Sequence, residues 1–203
     1  MKLATKAYQE QRREWPAEGR HVLAHYDAHT VVVYQAYRPS IAEFAIRNGR
    51  FGGPDFSFTR MSWIKPNFLW MMYRSAWATK EGQEYVLGLR LRRMFFDSLL
   101  MTAVQSTFDP KIHANVAVRR SAVAESEIRS QWDPDHSPSG NKESRRAIQL
   151  GLRGLALQKL ASDELLEVID MTPFVRSQRS NAQDDSSALL TPLETEYPWP
   201  AHP

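Results

Sequence analysis

Val31-Val32-Val33-Tyr34-Gln35-Ala36-Tyr37-Arg38-Pro39-Ser40-Ile41-Ala42-Glu43-Phe44-Ala45-Ile46-Arg47-Asn48-Gly49 is the stretch on which the fold turns. The β-branched and aromatic run Val31 to Tyr34, following Asp27 and His29, reads as a buried strand. Pro39 suits the first turn of a helix because its fixed φ is already helical and its missing N–H is not needed there. Ile41, Ala42, Phe44, Ala45 and Ile46 supply an apolar face, and Asn48-Gly49 stops the helix. Strand, tight link, helix and glycine stop agree with one another.

Working outward, residues 49–60 form a loop rich in glycine and aromatics, and Met61 to Ile64 reads as a short strand. Pro66 starts a helix to about Trp77, with a buried strand as the alternative over so short an apolar run. Glu84 to Leu91 alternates Tyr85, Leu87, Leu89 and Leu91 as a strand, and Arg92 to about Val104 is an amphipathic helix. Residues 105–125 are undecided. Glu127 to Trp132 reads as a strand that ends in the turn-rich DPDHSPSGN. Ser144 caps an expected helix from about Arg145 to Leu160, whose Gly151 and Gly154 imply close packing. Leu165 to Met171 is a further short element. Residues 1–20 read as a polar helical lead-in, broken by Trp15-Pro16 and Gly19.

From Thr172 the composition shifts to Ser, Gln, Asp and Pro, so residues 176–203 are expected to be a flexible tail; its final Tyr197-Pro198-Trp199-Pro200 would dock on the body or on a partner. No repeat and no regular βαβ rhythm appears. The expectation is therefore one α+β domain over residues 21–175, with a mainly antiparallel or mixed sheet flanked by helices.

The 203 residues are 42% hydrophobic and 24% charged, close to globular averages, so the chain can bury a core. The absence of cysteine excludes disulfides, thiolate zinc sites and cysteine nucleophiles. The polar N-terminus has no apolar signal region, and the longest apolar run, Phe68 to Tyr73, is far short of a membrane helix. A cytoplasmic location without membrane contact is expected. Lys and Arg outnumber Asp and Glu by 24 to 15 in residues 1–160, but trail by 2 to 8 in residues 161–203. A basic body attracts phosphates, in nucleotides or in nucleic acid, although ordinary surface solubility has the same charge.

Chemistry concentrates in Arg60 to Trp77, where Arg60, Lys65 and Arg74 stand among Trp63, Phe68, Trp70, Tyr73 and Trp77. Helical or extended, this segment places Arg74 beside Trp70. An arginine fork matches a phosphate and an indole stacks on a base, so both are candidate ligand contacts; the alternative is that the aromatics are core and Arg74 meets an internal acid. Tyr34, Gln35 and Arg38, at the end of the first strand, are candidates for the same reason that strand ends line clefts. Arg145 and Arg146 fall in the first turn of the expected helix, where the dipole disfavours cations unless an acid or a bound anion compensates. Asp133, in Asp133-Pro134-Asp135-His136, is the candidate general acid or base, set against ordinary turn chemistry. Asn48 to Gly53 lacks the ending of a phosphate loop, and the six histidines show no metal-ligand spacing that survives the strand at Val31.

The segments VYQAYRPSIAEFAIRNGRF (residues 33–51), RMSWIKPNFLWMMYRSAWATKEGQE (60–84), QWDPDH (131–136) and SRRAIQLGLRG (144–154) resemble the domain of unknown function 4291 family, over roughly Asp27 to Thr172. The family carries no mechanism to transfer. The strand with VYQAY, the helix and the Gly-Arg-Phe turn are also somewhat similar to the opening of ADP-ribosyltransferase-type folds; that resemblance implies a pinched nicotinamide adenine dinucleotide, but no catalytic glutamate or histidine aligns.

Three functions remain open. The first is a nucleotide- or phosphate-binding domain or enzyme using Tyr34, Gln35, Lys65, Trp70 and Arg74, with Asp133 as acid or base. The second is a nucleic-acid module with Arg60, Lys65, Arg74, Arg145 and Arg146 as an exposed stripe. The third is a protein-interaction domain whose partner binds the tail.

Overall fold

The computed structural model describes residues 3–108, 110, 115–183 and 187–198. Strand β4 (Thr30–Tyr37) contains the Val31 to Tyr34 run and is buried on both faces. Val31 and Val33 enter one apolar cluster, whereas Val32 and Tyr34 enter another. A strand covered on both sides needs apolar residues at consecutive positions, which is why the run does not alternate. Helix α2 (Pro39–Asn48) follows at once, with proline in its first turn and Gly49 closing it in the left-handed region at φ 64°.

β4 is the centre of a five-stranded sheet. β6 (Tyr85–Arg92) lies antiparallel on one side of it, with β10 (Leu165–Asp170) beyond. β3 (Leu23–Tyr26) and then β12 (Thr195–Glu196) lie on the other side, both pairings again antiparallel. A second sheet is built on the hairpin of β8 (Ile128–His136) and β9 (Lys142–Leu152). β2 (Gly19–Arg20) adds in parallel to β9, β7 (Val104–Gln105) adds in parallel to β8, and β5 (Ser62–Ile64) pairs antiparallel with the far end of β9. Helices α3 (Phe68–Ser75), α4 (Arg93–Thr102), α5 (Val116–Glu125), α6 (Gly154–Ala161) and α7 (Thr172–Gln183) pack around the sheets. At the N-terminus, β1 (Thr5–Ala7) precedes α1 (Tyr8–Glu14). The architecture is α+β with antiparallel and mixed sheets, and among the described residues no helix is long and apolar enough to cross a membrane.

Three sequence expectations are corrected. The helix expected over Arg145 to Leu160 is two elements, β9 and then α6. Ile148, Leu150 and Leu152 stand two apart and face the core together, and this period of two prevails up to Arg153. Gly151 lies opposite Trp63, where a Cβ would stand 2.8 Å from Met61 Sδ and 3.0 Å from the Trp63 ring, so strand pairing rather than helix packing requires it. The turn expected at Asp133-Pro134 is absent, and β8 continues to His136. Proline is tolerated there because β7 pairs only with Arg129 and Ser130, which leaves the Pro134 end of β8 on an edge. The chain turns instead at Ser137, whose N–H donates to Asn141 O.

The third correction concerns the tail. α7 buries Val175 and Ala182, and β11 (Leu190–Pro192) pairs with β1, so much of the segment read as flexible is packed. Leu189, Thr191, Glu194 and Tyr197 are each buried, and Tyr197 donates its N–H to Val22 O. Anchors two or three residues apart in a polar background are legible only against the surfaces that receive them. Trp199 and Pro200 lie outside the described residues.

Candidate functional site

β5 is hydrogen-bonded to the second sheet through Ile64 and Leu150, and the next residue, Lys65, forms an antiparallel bridge with Tyr34 of the first sheet. Pro66 follows, and then Asn67 caps α3, its Oδ1 accepting the Trp70 N–H at 2.7 Å. The Lys65 backbone is therefore fixed on both sides at the seam between the sheets. Its side chain, 4% exposed, lines a cleft of about 460 Å³ together with Gln35, Arg38, Arg60, Arg74 and Gln149. Tyr37, Phe56, Trp63 and Met71 supply apolar and aromatic wall, and the loop after α2 brings Asp55.

The charge in this cleft is unbalanced. Arg38 donates to Asp55 at 3.0 Å on the exposed rim. Among the described residues, Arg60, Lys65 and Arg74 have no acid partner. Burial pushes the Lys65 ammonium down to about 8, the charge of Arg74 pushes it the same way, and Asp133 pulls it partly back. The Trp70 ring, with its centroid 5.9 Å from Nζ, lies at the outer limit of a useful cation–π contact.

Neutral polar groups complete the floor. Gln35 Nε2 donates to Ser62 Oγ at 2.8 Å and to Trp63 O at 3.2 Å, while its Oε1 accepts from Tyr37 Oη at 3.1 Å. This network ties β4 to β5, and burial pushes the Tyr37 phenol up to about 12. Gln149 Nε2 donates to Asp133 Oδ2 at 2.8 Å, and Gln131 Nε2 donates to the other oxygen at 2.7 Å. Asp133 thus stands behind the lining and holds the Gln149 amide in place. Gln149 was hidden from sequence reading because 145–160 looked helical; as the one polar residue in AIQLGL it marks the cleft-facing position once the segment is read as a strand.

Of the candidates named from sequence, Gln35, Arg38, Arg60, Lys65 and Arg74 come together in this cleft. Tyr34, Trp70, Arg145 and Arg146 do not. Tyr34 points from the opposite face of β4 onto Phe68, fully buried near Glu194, and burial pushes its phenol well up. Trp70 stacks on Tyr73 and on His136, with centroids 5.5 and 5.3 Å apart, one helical turn from Arg74 but away from the cleft. Arg145 is not at a helix start: its Nε and Nη2 donate to Asp135 Oδ2 at 2.9 and 2.6 Å, and its Nη1 donates to Pro16 O. A carboxylate therefore compensates it, on the same face of β9 as Gln149. Arg146 is exposed near the start of β9, in register with Arg20. Among the described residues no three His, Asp or Glu side chains gather as metal ligands.

Fold and cleft define an α+β protein with a cationic pocket at the junction of two sheets. The family described as "Domain of unknown function (DUF4291)" matches residues 21–197, and the chain belongs to that family. No curated protein matches it.

Proposed function

We propose that the cleft binds a phosphorylated small molecule, with nucleotides and dinucleotides as the leading class. The observation that carries this reading is Lys65, a buried cation without an acid partner, with Arg74 and Arg60 at the same cleft. Holding like charges around a partly dehydrated ammonium is unfavourable unless an anion neutralises them. A phosphate group meets the two arginine forks and the lysine point charge, and the walls of Tyr37, Phe56 and Trp63 suit a flat base or sugar. The resemblance to the opening of ADP-ribosyltransferase-type folds makes nicotinamide adenine dinucleotide the first dinucleotide to try, as ligand or as substrate.

A nucleic-acid stripe is less well supported. Lys65 and Arg145 are buried, and Arg145 is committed to Asp135. A tail-borne partner site is also less well supported, because Glu194 and Tyr197 are packed into the body. The cysteine-free composition favours a cytoplasmic setting.

Isothermal calorimetry with nucleoside mono-, di- and triphosphates, the dinucleotide, inorganic pyrophosphate and a short RNA tests the reading. Binding of a phosphorylated small molecule that Lys65→Ala and Arg74→Ala both weaken supports it. Binding of RNA alone, or small-molecule binding indifferent to both substitutions, overturns it.

A further inference from the structure

We propose that Lys65 forms a covalent imine with an aldehyde or ketone that carries a phosphate, the arginines of the cleft holding the phosphate while the lysine amine meets the carbonyl. This rests on the anion-binding reading above and adds a reaction to it.

Three features of the geometry separate Lys65 from an ordinary phosphate-binding lysine. It is 4% exposed, whereas the arginines beside it, Arg60 and Arg74, are exposed at the rim. Its backbone is clamped between two sheets, with Tyr34 N–H donating to Lys65 O at 2.7 Å and Lys65 N–H donating to Tyr34 O at 3.1 Å. Its ammonium makes no hydrogen bond or ion pair with any described side chain, and the charge of Asp133, which favours the proton, is outweighed by burial and Arg74. Desolvation and a neighbouring cation are the two conditions that turn a lysine into a nucleophile, and both are present. At pH 7.4 an amine titrating at about 8 is neutral about a fifth of the time, against under about 0.1% for a lysine at its ordinary value of 10.5. Arg74 serves both ends of the reaction: it disfavours the ammonium and it attracts the phosphate.

The step balances without an oxidant or reductant. The neutral nitrogen adds its electron pair to the carbonyl carbon, and the proton lost from nitrogen goes to the former carbonyl oxygen. Protonation of that hydroxyl by solvent in the cleft releases water and leaves the carbon–nitrogen double bond. The ligand class is therefore a phosphorylated aldehyde or ketone, including an open-chain sugar phosphate.

Pyridoxal 5′-phosphate is the probe, because it joins an aldehyde to a phosphate and its imine absorbs visible light. The intact protein is incubated with a limiting amount, reduced with borohydride, digested and mapped over its seven lysines. The expected result is an adduct concentrated at Lys65. It should form about tenfold or more faster than with unphosphorylated pyridoxal, and it should be suppressed by pyrophosphate and slowed by Arg74→Ala. An adduct no more abundant at Lys65 than at Lys80, Lys142 or Lys159 overturns the proposal. The map is read on the unaltered chain, so it does not depend on a Lys65 variant folding. Calorimetry with pyrophosphate on the same preparation separates the two readings. Pyrophosphate binding without Lys65 labelling removes the imine and leaves the anion site, whereas the absence of both removes the two together.

Discussion

Tyr34 and Lys65 exchange two backbone hydrogen bonds, at 2.7 and 3.1 Å, and this bridge joins the two sheets. Its consequence is a sorting of side chains. Tyr34 enters the core beside Phe68, its neighbour Gln35 faces the cleft, and Lys65 is drawn under the cleft floor where water is scarce.

Replacing Lys65 by methionine should stabilise the protein near neutral pH. The folded chain holds this proton less tightly than the unfolded chain, in which the lysine titrates at its ordinary 10.5 rather than about 8. The wild type is therefore at its greatest disadvantage below about 8 and recovers between about 8 and 10.5 as both states lose the proton. The advantage of Lys65→Met is expected to be roughly 2–3 kcal/mol at pH 7 and to vanish by pH ~10.5. Urea unfolding of both proteins across this range measures it; an advantage that does not shrink with pH would count against a strained ammonium.

Arg74→Ala and Arg60→Ala should leave the melting temperature nearly unchanged, since both residues are exposed and neither has an acid partner among the described residues. Each should weaken a bound phosphate by roughly 10- to 100-fold, the range for losing one charge-assisted hydrogen bond. Calorimetric titration at fixed salt decides the matter.

Arg145→Ala is expected to be among the most damaging single changes. It strands the Asp135 carboxylate, which is 1% exposed, and also removes the donor to Pro16 O and the face over Trp15. Loss of one partner of a buried pair costs about 3–5 kcal/mol. The double change Asp135→Asn with Arg145→Met should recover part of that loss, as read from denaturation midpoints.

Glu194→Gln should become relatively more stable as pH rises from about 4.5. Burial raises the Glu194 carboxyl well above its ordinary 4.5, outweighing the Phe68 N–H that donates to it at 2.8 Å. A folded state that keeps the proton longer than the unfolded state loses stability with rising pH until its own carboxyl titrates. Glutamine has no such proton, so the gap between the melting temperatures should widen as pH rises above 4.5; parallel curves would sink this account.

Gly154→Ala should cost about 1–3 kcal/mol, or several degrees of melting temperature. Gly154 begins α6 at φ 56°, and a Cβ there would collide with Glu127 Oε1. That carboxylate caps the helix by accepting the N–H groups of Leu155 and Ala156 at 3.1 and 3.2 Å. Glu127→Ala should lose the cap alone, about 1 kcal/mol, and the two losses should not add because they share one interaction.

Local chemistry was enough to read β4, α2, β6 and α4, and it left the segment after Pro66 between a helix and a strand, of which the structure shows the helix α3. Pro39 and Gly49 bracket α2 and Asn67 caps α3, whereas β4 and β6 show themselves as short runs of β-branched and apolar residues. Arg60, Lys65 and Arg74 were legible as a group for the same reason: they lie within fifteen residues of one another, so local geometry keeps them close. Residues 145–160 were not legible, because their leucines satisfy a helical period and a strand period together. The choice was made by β8, its hairpin partner, and by β2 and β5, two strands distant in sequence that also hydrogen-bond to β9.

The sequence by itself determined the α+β class, the first strand–helix unit, the family and the cationic segment that lines the cleft. Tertiary structure decided which of those cations matter to one another. Whether a lysine is a solvated surface charge or a desolvated amine depends on what covers it, and for Lys65 the cover comes from sheet pairing with Tyr34, thirty-one residues earlier, and from the cleft wall at Gln149, eighty-four residues later. Pairing of β8 with β9 likewise set Arg145 beside Asp135, and Gln11 and Phe68 meet Glu194 in the core, because a buried polar side chain is costly without a partner; Lys65 is the exception whose partner an anion in the cleft would supply.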